Sequence, residues 1–475
     1  MYALGYDVGS SFIKASVVDI ELGTVVSSVS YPDRELAINS PVAGWAEQDP
    51  QSWWDAIVGA TRLVASRASI SLQDVRTIGI SYQMHGLVLV DRDLRVLRPS
   101  IIWCDSRATE IGRKAFSEIG ESICLREMLN TPGNFTASKL RWVKDYEPQI
   151  YAKIYKILLP GEYVAMRLTG ECKTTISGLS EGIFWNFQAN DISDGLLSYY
   201  GINKDLLADR VPTMGLQGSL TEQAARELGL KAGIPIAYRA GDQPNNAFSL
   251  NVLEPGEIAA TAGTSGVVYA VNGSLNCDPQ SRINGFAHVN HTPQHPRIGI
   301  LLCINGTGIS NSWIRKLAGE PDLTYDAMNN LAATAPVGSR GLSFLPFGNG
   351  AERIFRDKEI GASFQGLNFI IHSKPEVFRS VQEGVAFSFN YGIEIMQSLG
   401  IRPTVLRAGA ANMFLSPVFR KTLANVADVK IELYNTDGAQ GAARRRTVAT
   451  SLAVSLPSPY AFATAPRQSP AYFES

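Results

Sequence analysis

Cysteine and histidine are scarce in this chain, with five of each among 475 residues. Cys104, Cys124, Cys172, Cys277 and Cys303 form no CxxC pair, so the spacing excludes a zinc ribbon or a redox pair and predicts reduced, mostly buried thiols. No apolar run approaches the ~18 residues of a spanning helix, and the N-terminus lacks the basic stretch and unbroken apolar core of a signal peptide, so a soluble, cytoplasmic chain is expected. An excess of either charge is missing too: 43 basic and 44 acidic residues leave a formal charge of -1. That balance provides no global field for nucleic acid or an anionic membrane, and a small-molecule partner fits it better. Low-complexity sequence and the GxxxxGK[ST] phosphate loop are both lacking.

The length exceeds what one hydrophobic core usually supports, which predicts two domains. Strand-like alternation over residues 2 to 19 is followed by a second apolar segment at 24 to 31, and Asp49-Pro50 reads as a helix start, with apolar positions at helical spacing from Trp53 to Val64. Strands follow from Val75 to Trp103 around a turn at Asp91 to Asp93, and residues 136 to 170 read as largely helical. The class is α/β with mixed strands and helices. "GYDVGSSFIKASVV" near the start is echoed by "AATAGTSGVVYAV" at 259 to 271, each reading as strand, Gly/Ser/Thr turn, strand. A chance likeness of two hairpins is the alternative to a duplicated architecture.

Such turns let backbone N–H groups and hydroxyls converge on a phosphate. Asp7 then reads as a carboxylate near a phosphate-bound Mg²⁺, held through water because Mg²⁺ sheds its shell reluctantly. Lys14 lies an odd number of residues from Asp7, so strand alternation predicts opposite sheet faces, and a solvated strand lysine is its alternative role. "INGTGISNSW" resembles a dinucleotide fingerprint, but Asn311 replaces the third glycine, so a plain strand-to-helix turn is predicted. His288, His291 and His295 in "HVNHTPQH" lack a Cys or Asp cluster and read as exposed loop histidines.

At "SYQMHG" (81 to 86), "WCDSR" (103 to 107), "AGDQPNNA" (240 to 247), "TAGTSG" (261 to 266) and "AGAANMFLSPVFRKTLANV" (from Ala408), the chain resembles the FGGY carbohydrate kinases, in collinear order from residue 2 to about 443. The resemblance implies an actin-like ATPase, ribonuclease H-like fold: two duplicated lobes with mixed sheets and a central cleft. It places a sugar-binding lobe at 1–243 and an ATP-binding lobe at 244–475. It implies transfer of the ATP γ-phosphate, with Mg²⁺, to a ketose. D-xylulose is the expected acceptor, another ketose such as ribulose or fuculose the alternative, and a homodimer the candidate assembly. A sugar sensor of the same fold that transfers nothing is the reading from another class.

Carried over position by position, Asp242 is implied as the general base, whose alternative is an Asx-turn or helix cap. Met84, His85, Asp105 and Gln243 are implied as sugar contacts, with Arg107 either cleft-lining or in a structural salt bridge, and Trp103 and Trp142 either lining the cleft or packing. Gly9, Ser10 and Ser11 form the first phosphate turn, and Gly263, Thr264, Ser265 and Gly266 the second. Gly409, Ala410 and Ala411 resemble a "GGG" adenosine segment in which two glycines are alanines here, and Asn412 stands near the base or caps a helix. Beyond "GAQGAA" the family pattern stops. Thr447 to Ser475 holds one acid, one base and four prolines, which suggests a reading-frame change near Arg444 or a variable tail.

Overall fold

The computed structural model describes residues 1–350, 352–355, 358 and 360–444; the tail after Arg444, on which the frame-change expectation falls, lies outside the described residues. The chain divides into two compact units, the first made of Met1–Ser249, Phe286–His295 and the segment from Asp437, the second of Leu250–Gly285 and Pro296–Thr436.

The first unit is built on a six-stranded mixed sheet. Tyr2–Val8, Ile13–Asp19 and Val25–Tyr31 form an antiparallel meander. Val75–Tyr82 and then Pro235–Gly241 add in parallel on the other side of Tyr2–Val8, and Met214–Ser219 closes the edge antiparallel. Helix Pro50–Ala68 starts where the sequence predicts: Pro50 sits at its first turn, where a missing N–H costs nothing, and the Asp49 carboxylate accepts from Gln51 N at 3.0 Å. Its inner face sets Trp53, Ile57, Ala60 and Val64 against Leu4, Tyr6, Val17 and Ile80 of the sheet. Each large side chain buried this way contributes about 1.5–3 kcal/mol.

The short helix Gly438–Arg444 lies on the same sheet at a place that admits no side chains. A Cβ at Gly5 would fall on the Ala439 carbonyl, and one at Gly79 on the carbonyl of Ala442. Backbone therefore meets backbone here.

The second unit repeats the plan. Ile258–Ala262 and Gly266–Asn272 pair antiparallel, Ile298–Ile304 continues on one side, and Val405–Gly409 then Lys430–Tyr434 add in parallel on the other. The echoed strand, turn, strand segments occupy the same position in each sheet, so the duplication is real. Helix Lys374–Ser398 opens with a capping box between Ser373 and Glu376 and buries Phe378, Val381, Val385 and Phe389.

Several expectations change. Lys14 is the direct cross-strand partner of Asp7, and residues opposite one another in an antiparallel pair share a face. The intervening turn resets the alternation that a single strand would have kept. Residues 136 to 170 are not one helical stretch: strand Lys156–Leu158 separates Thr136–Tyr146 and Pro148–Tyr151 from Pro160–Thr169, because the apolar "KIL" run pairs with Val88–Val90. All five cysteines are free thiols, yet only Cys124 is buried and Cys104 is exposed. His288 is buried, 1% exposed, and His291 is half-buried against Phe187; only His295 of the three is exposed. "INGTGISNSW" does form a plain turn between strand Ile298–Ile304 and helix Gly308–Leu317. No helix among the described residues is long and apolar enough to cross a membrane.

Candidate active site

In the first unit, Asp7 is the penultimate residue of the central strand Tyr2–Val8 and Ser81 is its neighbour on the parallel strand. Ser81 Oγ donates to Asp7 Oδ1 at 2.8 Å, and a Cβ on Gly438 would come 2.5 Å from Asp7 Oδ2, so the helix from Gly438 leans on this carboxylate. Burial raises the Asp7 carboxyl above its ordinary value; Lys14 and the Ser81 hydroxyl oppose the rise and Asp437 adds to it. Asp242 opens helix Asp242–Ser249 directly after strand Pro235–Gly241, and that strand runs parallel to Val75–Tyr82. Burial pushes its carboxyl up to about 7; the Asp7 charge adds to this, and hydrogen bonds from Gln243 oppose it. Two mutually repelling carboxylates, one a half-ionised base near neutrality, are an arrangement suited to proton abstraction.

The loop after Val75–Tyr82 carries Met84 and His85. Met84 is buried and His85 half-buried in the left-handed backbone region, φ 63°. The His85 carbonyl accepts from the buried Lys139 ammonium at 2.9 Å, and the same nitrogen donates to the Ile102 carbonyl at 2.9 Å. Lys139 thereby ties "SYQMHG" to Ile102, the residue before "WCDSR", although burial drags its pKa down to about 7.

Asp105 is inaccessible and both its oxygens are engaged: Oδ2 accepts from Ala46 N at 2.6 Å and Arg107 Nη2 at 2.7 Å, and Oδ1 from Arg107 N at 2.9 Å. Arg107 also meets Glu47 at 2.8 Å and lies over the rings of Trp45 and Trp142, 3.9 and 4.8 Å from their centroids. Asp105 and Arg107 are thus a buried, stacked ion pair. Trp142 packs in this stack, whereas Trp103 is 51% exposed, its Nε1 3.4 Å from Ser10 Oγ. The Gly9 to Ser11 turn is fixed from behind: Gly9 N donates to Phe12 O at 3.1 Å, and the carbonyls of Ser10 and Ser11 accept from Gln48 Nε2 and Leu36 N at 2.6 and 2.8 Å.

The second unit holds the other candidates. Gly308 N and Ile309 N, at the start of a helix, donate to the carbonyls of Gly263 and Thr264 at 2.8 and 3.1 Å. Thr264 and Ser265 are exposed at the tip of this turn. Gly266 is needed by the protein itself, since a Cβ there would meet Thr307 and Phe389. Gly409 is not: a Cβ would approach nothing closer than Thr436 O at 3.9 Å, and at Gly263 nothing closer than Asn412 Nδ2 at 3.6 Å. Ala410 and Ala411 are exposed, and Asn412, φ 54°, opens a short turn at the end of strand Val405–Gly409. The carboxyl ends of parallel strands are where open α/β sheets receive ligands.

Among the described residues no group of three or more His, Cys, Asp or Glu could cage a metal ion. The hard oxygen donors of Asp7 and Asp242 without a protein cage fit Mg²⁺ that arrives on phosphates with its water. Sequence reasoning passed over Glu181, Lys139, Asp437 and Ser81. Of these, only Ser81 lies in a motif already singled out, "SYQMHG".

Twin mixed sheets, each with a Gly and hydroxyl turn beside its central strand, define the actin-like ATPase class. The chain matches the models of the N-terminal domain, over residues 2–249, and the C-terminal domain, over 258–449, of the FGGY family of carbohydrate kinases, and it belongs to that family. It is an ATP-dependent sugar kinase. The xylulose kinase of Escherichia coli K12 is 30% identical over 460 residues, 95% of this chain and 91% of that protein. The crystal structure of xylulose kinase from Rhodospirillum rubrum superposes with a TM-score of 0.84 at 26% identity, covering 95% of this chain and 90% of that one. That of a gluconate kinase from Lactobacillus acidophilus gives 0.86 at 25%, covering 96% and 90%.

Proposed function

We propose that this chain phosphorylates D-xylulose on its terminal hydroxyl, forming D-xylulose 5-phosphate and ADP, with Asp242 as the base. The carrying observation is the place of Asp242, which opens helix Asp242–Ser249 at the carboxyl end of strand Pro235–Gly241, alongside the strand Val75–Tyr82 that leads into Met84 and His85. The sugar O5–H proton passes to Asp242, the O5–P bond forms on the γ-phosphorus, and the bond from that phosphorus to the β-phosphate oxygen breaks as ADP leaves. Met84, His85 and Gln243 bind the ketose; Asp105 anchors their neighbourhood through Arg107. Gly9 to Ser11 and Gly263 to Gly266 bind phosphate, and Gly409, Ala410 and Asn412 the adenosine. Asp7 would hold the nucleotide's Mg²⁺ through water, and that ion would neutralise phosphate charge. Relatives named xylulose kinase support the choice of sugar.

The likeness to a gluconate kinase favours a second reading, another open-chain polyhydroxy acceptor, because sugar choice rests on a few hydrogen bonds. A coupled assay of kcat/KM over D-xylulose, D-ribulose, L-fuculose and D-gluconate tests both. Preference for xylulose is expected; preference for another acceptor overturns the substrate, and phosphate release without any sugar phosphate overturns the kinase.

A further inference from the structure

His85 is held at both its backbone and its ring. L residues hold a left-handed backbone only where neighbours impose it. Its N–H donates to Glu181 Oε1 at 3.3 Å, its carbonyl accepts from Lys139, and its ring lies edge-on to Phe135 and tilted to Phe286, centroids 4.7 and 5.3 Å away. The ring nitrogen Nδ1 is 3.0 Å from the Glu181 carbonyl oxygen. A carbonyl oxygen can only accept, so Nδ1 carries the proton, and in a neutral ring Nε2 keeps its lone pair. Burial, reinforced by the Lys139 charge, holds the ring's pKa at about 3, so it is neutral throughout the working range of an enzyme.

Glu181 supplies two of these restraints from one residue. It ends helix Ile176–Glu181 and is wholly inaccessible. Burial raises its carboxyl well above the usual range, with the charges of Glu162 and Asp242 adding to the rise and the His85 N–H and the facing Tyr82 hydroxyl opposing it. A Cβ on Gly241 would stand 2.7 Å from Glu181 Oε2, so this side chain fills the space behind the residue that precedes Asp242.

We propose that Glu181 is a positioning residue for the acceptor sugar: its carbonyl fixes His85 as the Nδ1–H tautomer and its side chain holds the His85 backbone, so that Nε2 accepts a hydrogen bond from a sugar hydroxyl. The proposal rests on the function argued above. It makes His85 a one-way reader: a hydroxyl can donate to it, while fluorine or hydrogen in its place cannot.

The test begins with the free protein, uniformly ¹⁵N-labelled on histidine, with His85 assigned by comparison with His85→Gln. The expected spectrum has a protonated Nδ1 and a bare Nε2, unchanged through neutral pH; a protonated Nε2, or titration near the reference pKa of about 6.5, overturns the proposal. Kinetics on Glu181→Leu and Glu181→Gln follow. Leucine removes one acceptor, so the sugar KM rises about tenfold, as expected for a hydrogen bond of about 1.4 kcal/mol, with the ATP KM unchanged. Glutamine keeps an acceptor oxygen for the His85 N–H and restores most of the sugar KM. A loss confined to kcat, or shared equally by both substrates, overturns the assignment. If the wild-type chain phosphorylates no sugar, the functional reading falls, and the tautomer measurement still decides what Glu181 does to His85.

Discussion

At Asp242 the ionised form is opposed first by burial and second by the Asp7 carboxylate, and both effects are measurable. A base must be unprotonated to act, so kcat/KM for the sugar is expected to climb as pH rises through about 7. Asp7→Asn removes the like charge and should move that limb to lower pH in rate profiles, besides lowering the maximum rate. Stability runs the other way. The folded carboxyl binds its proton more tightly than the unfolded one, whose value is 3.8, so this group's contribution is fully present below 3.8 and lost as pH rises to about 7. Asp242→Asn should therefore be the more heat-stable protein at pH 8, by on the order of 1–3 kcal/mol, with the gap closing toward pH 4, while sugar phosphorylation falls by about three or more orders of magnitude. A variant no more stable than wild type at pH 8 would show that the carboxylate is well solvated. Asp242 and His85 were legible as candidates because they sit in short motifs. Glu181 and Lys139 were not, since their roles come from burial beside residues far away in the chain, which no local pattern records.

Glycines separate two kinds of constraint at the level of elements. Gly79 faces the backbone of helix Gly438–Arg444, whereas Gly409 faces open space. Gly79→Val should cost about 3 kcal/mol in urea unfolding, the upper end of what overpacking usually costs, because neither strand nor helix can yield alone. Gly409→Ala should leave the urea midpoint almost unchanged and raise the ATP KM severalfold; unchanged nucleotide affinity would remove Gly409 from the adenosine site. The hairpins and helix Pro50–Ala68 were readable because alternation and the Asp49-Pro50 start are local signals. Strand Lys156–Leu158 was missed because three residues are too few for a period, and its partner lies at Val88–Val90.

For the whole molecule, adenosine binding and ketose binding should divide by unit. In hydrogen exchange, ATP is expected to slow segments 258–266 and 405–412, and the ketose segments 81–86 and 103–107. A reversed pattern would exchange the roles assigned to the two units. The duplicated plan was readable from the echo of two strand, turn, strand segments. The composition of the first unit, which takes in Phe286–His295 and the segment from Asp437, was not, because those contacts join positions far apart in the chain, such as Ser177 with Ala287 and Gly5 with Ala439.

The backbone contact between Gly438–Arg444 and the glycines of the opening sheet bears on biosynthesis. Strand Tyr2–Val8 is made hundreds of residues before the helix that covers it. At about 5–20 residues per second, the bare glycine face waits roughly 20 to 90 seconds for its cover. During translation that face is open to a chaperone until the helix from Gly438 has been made.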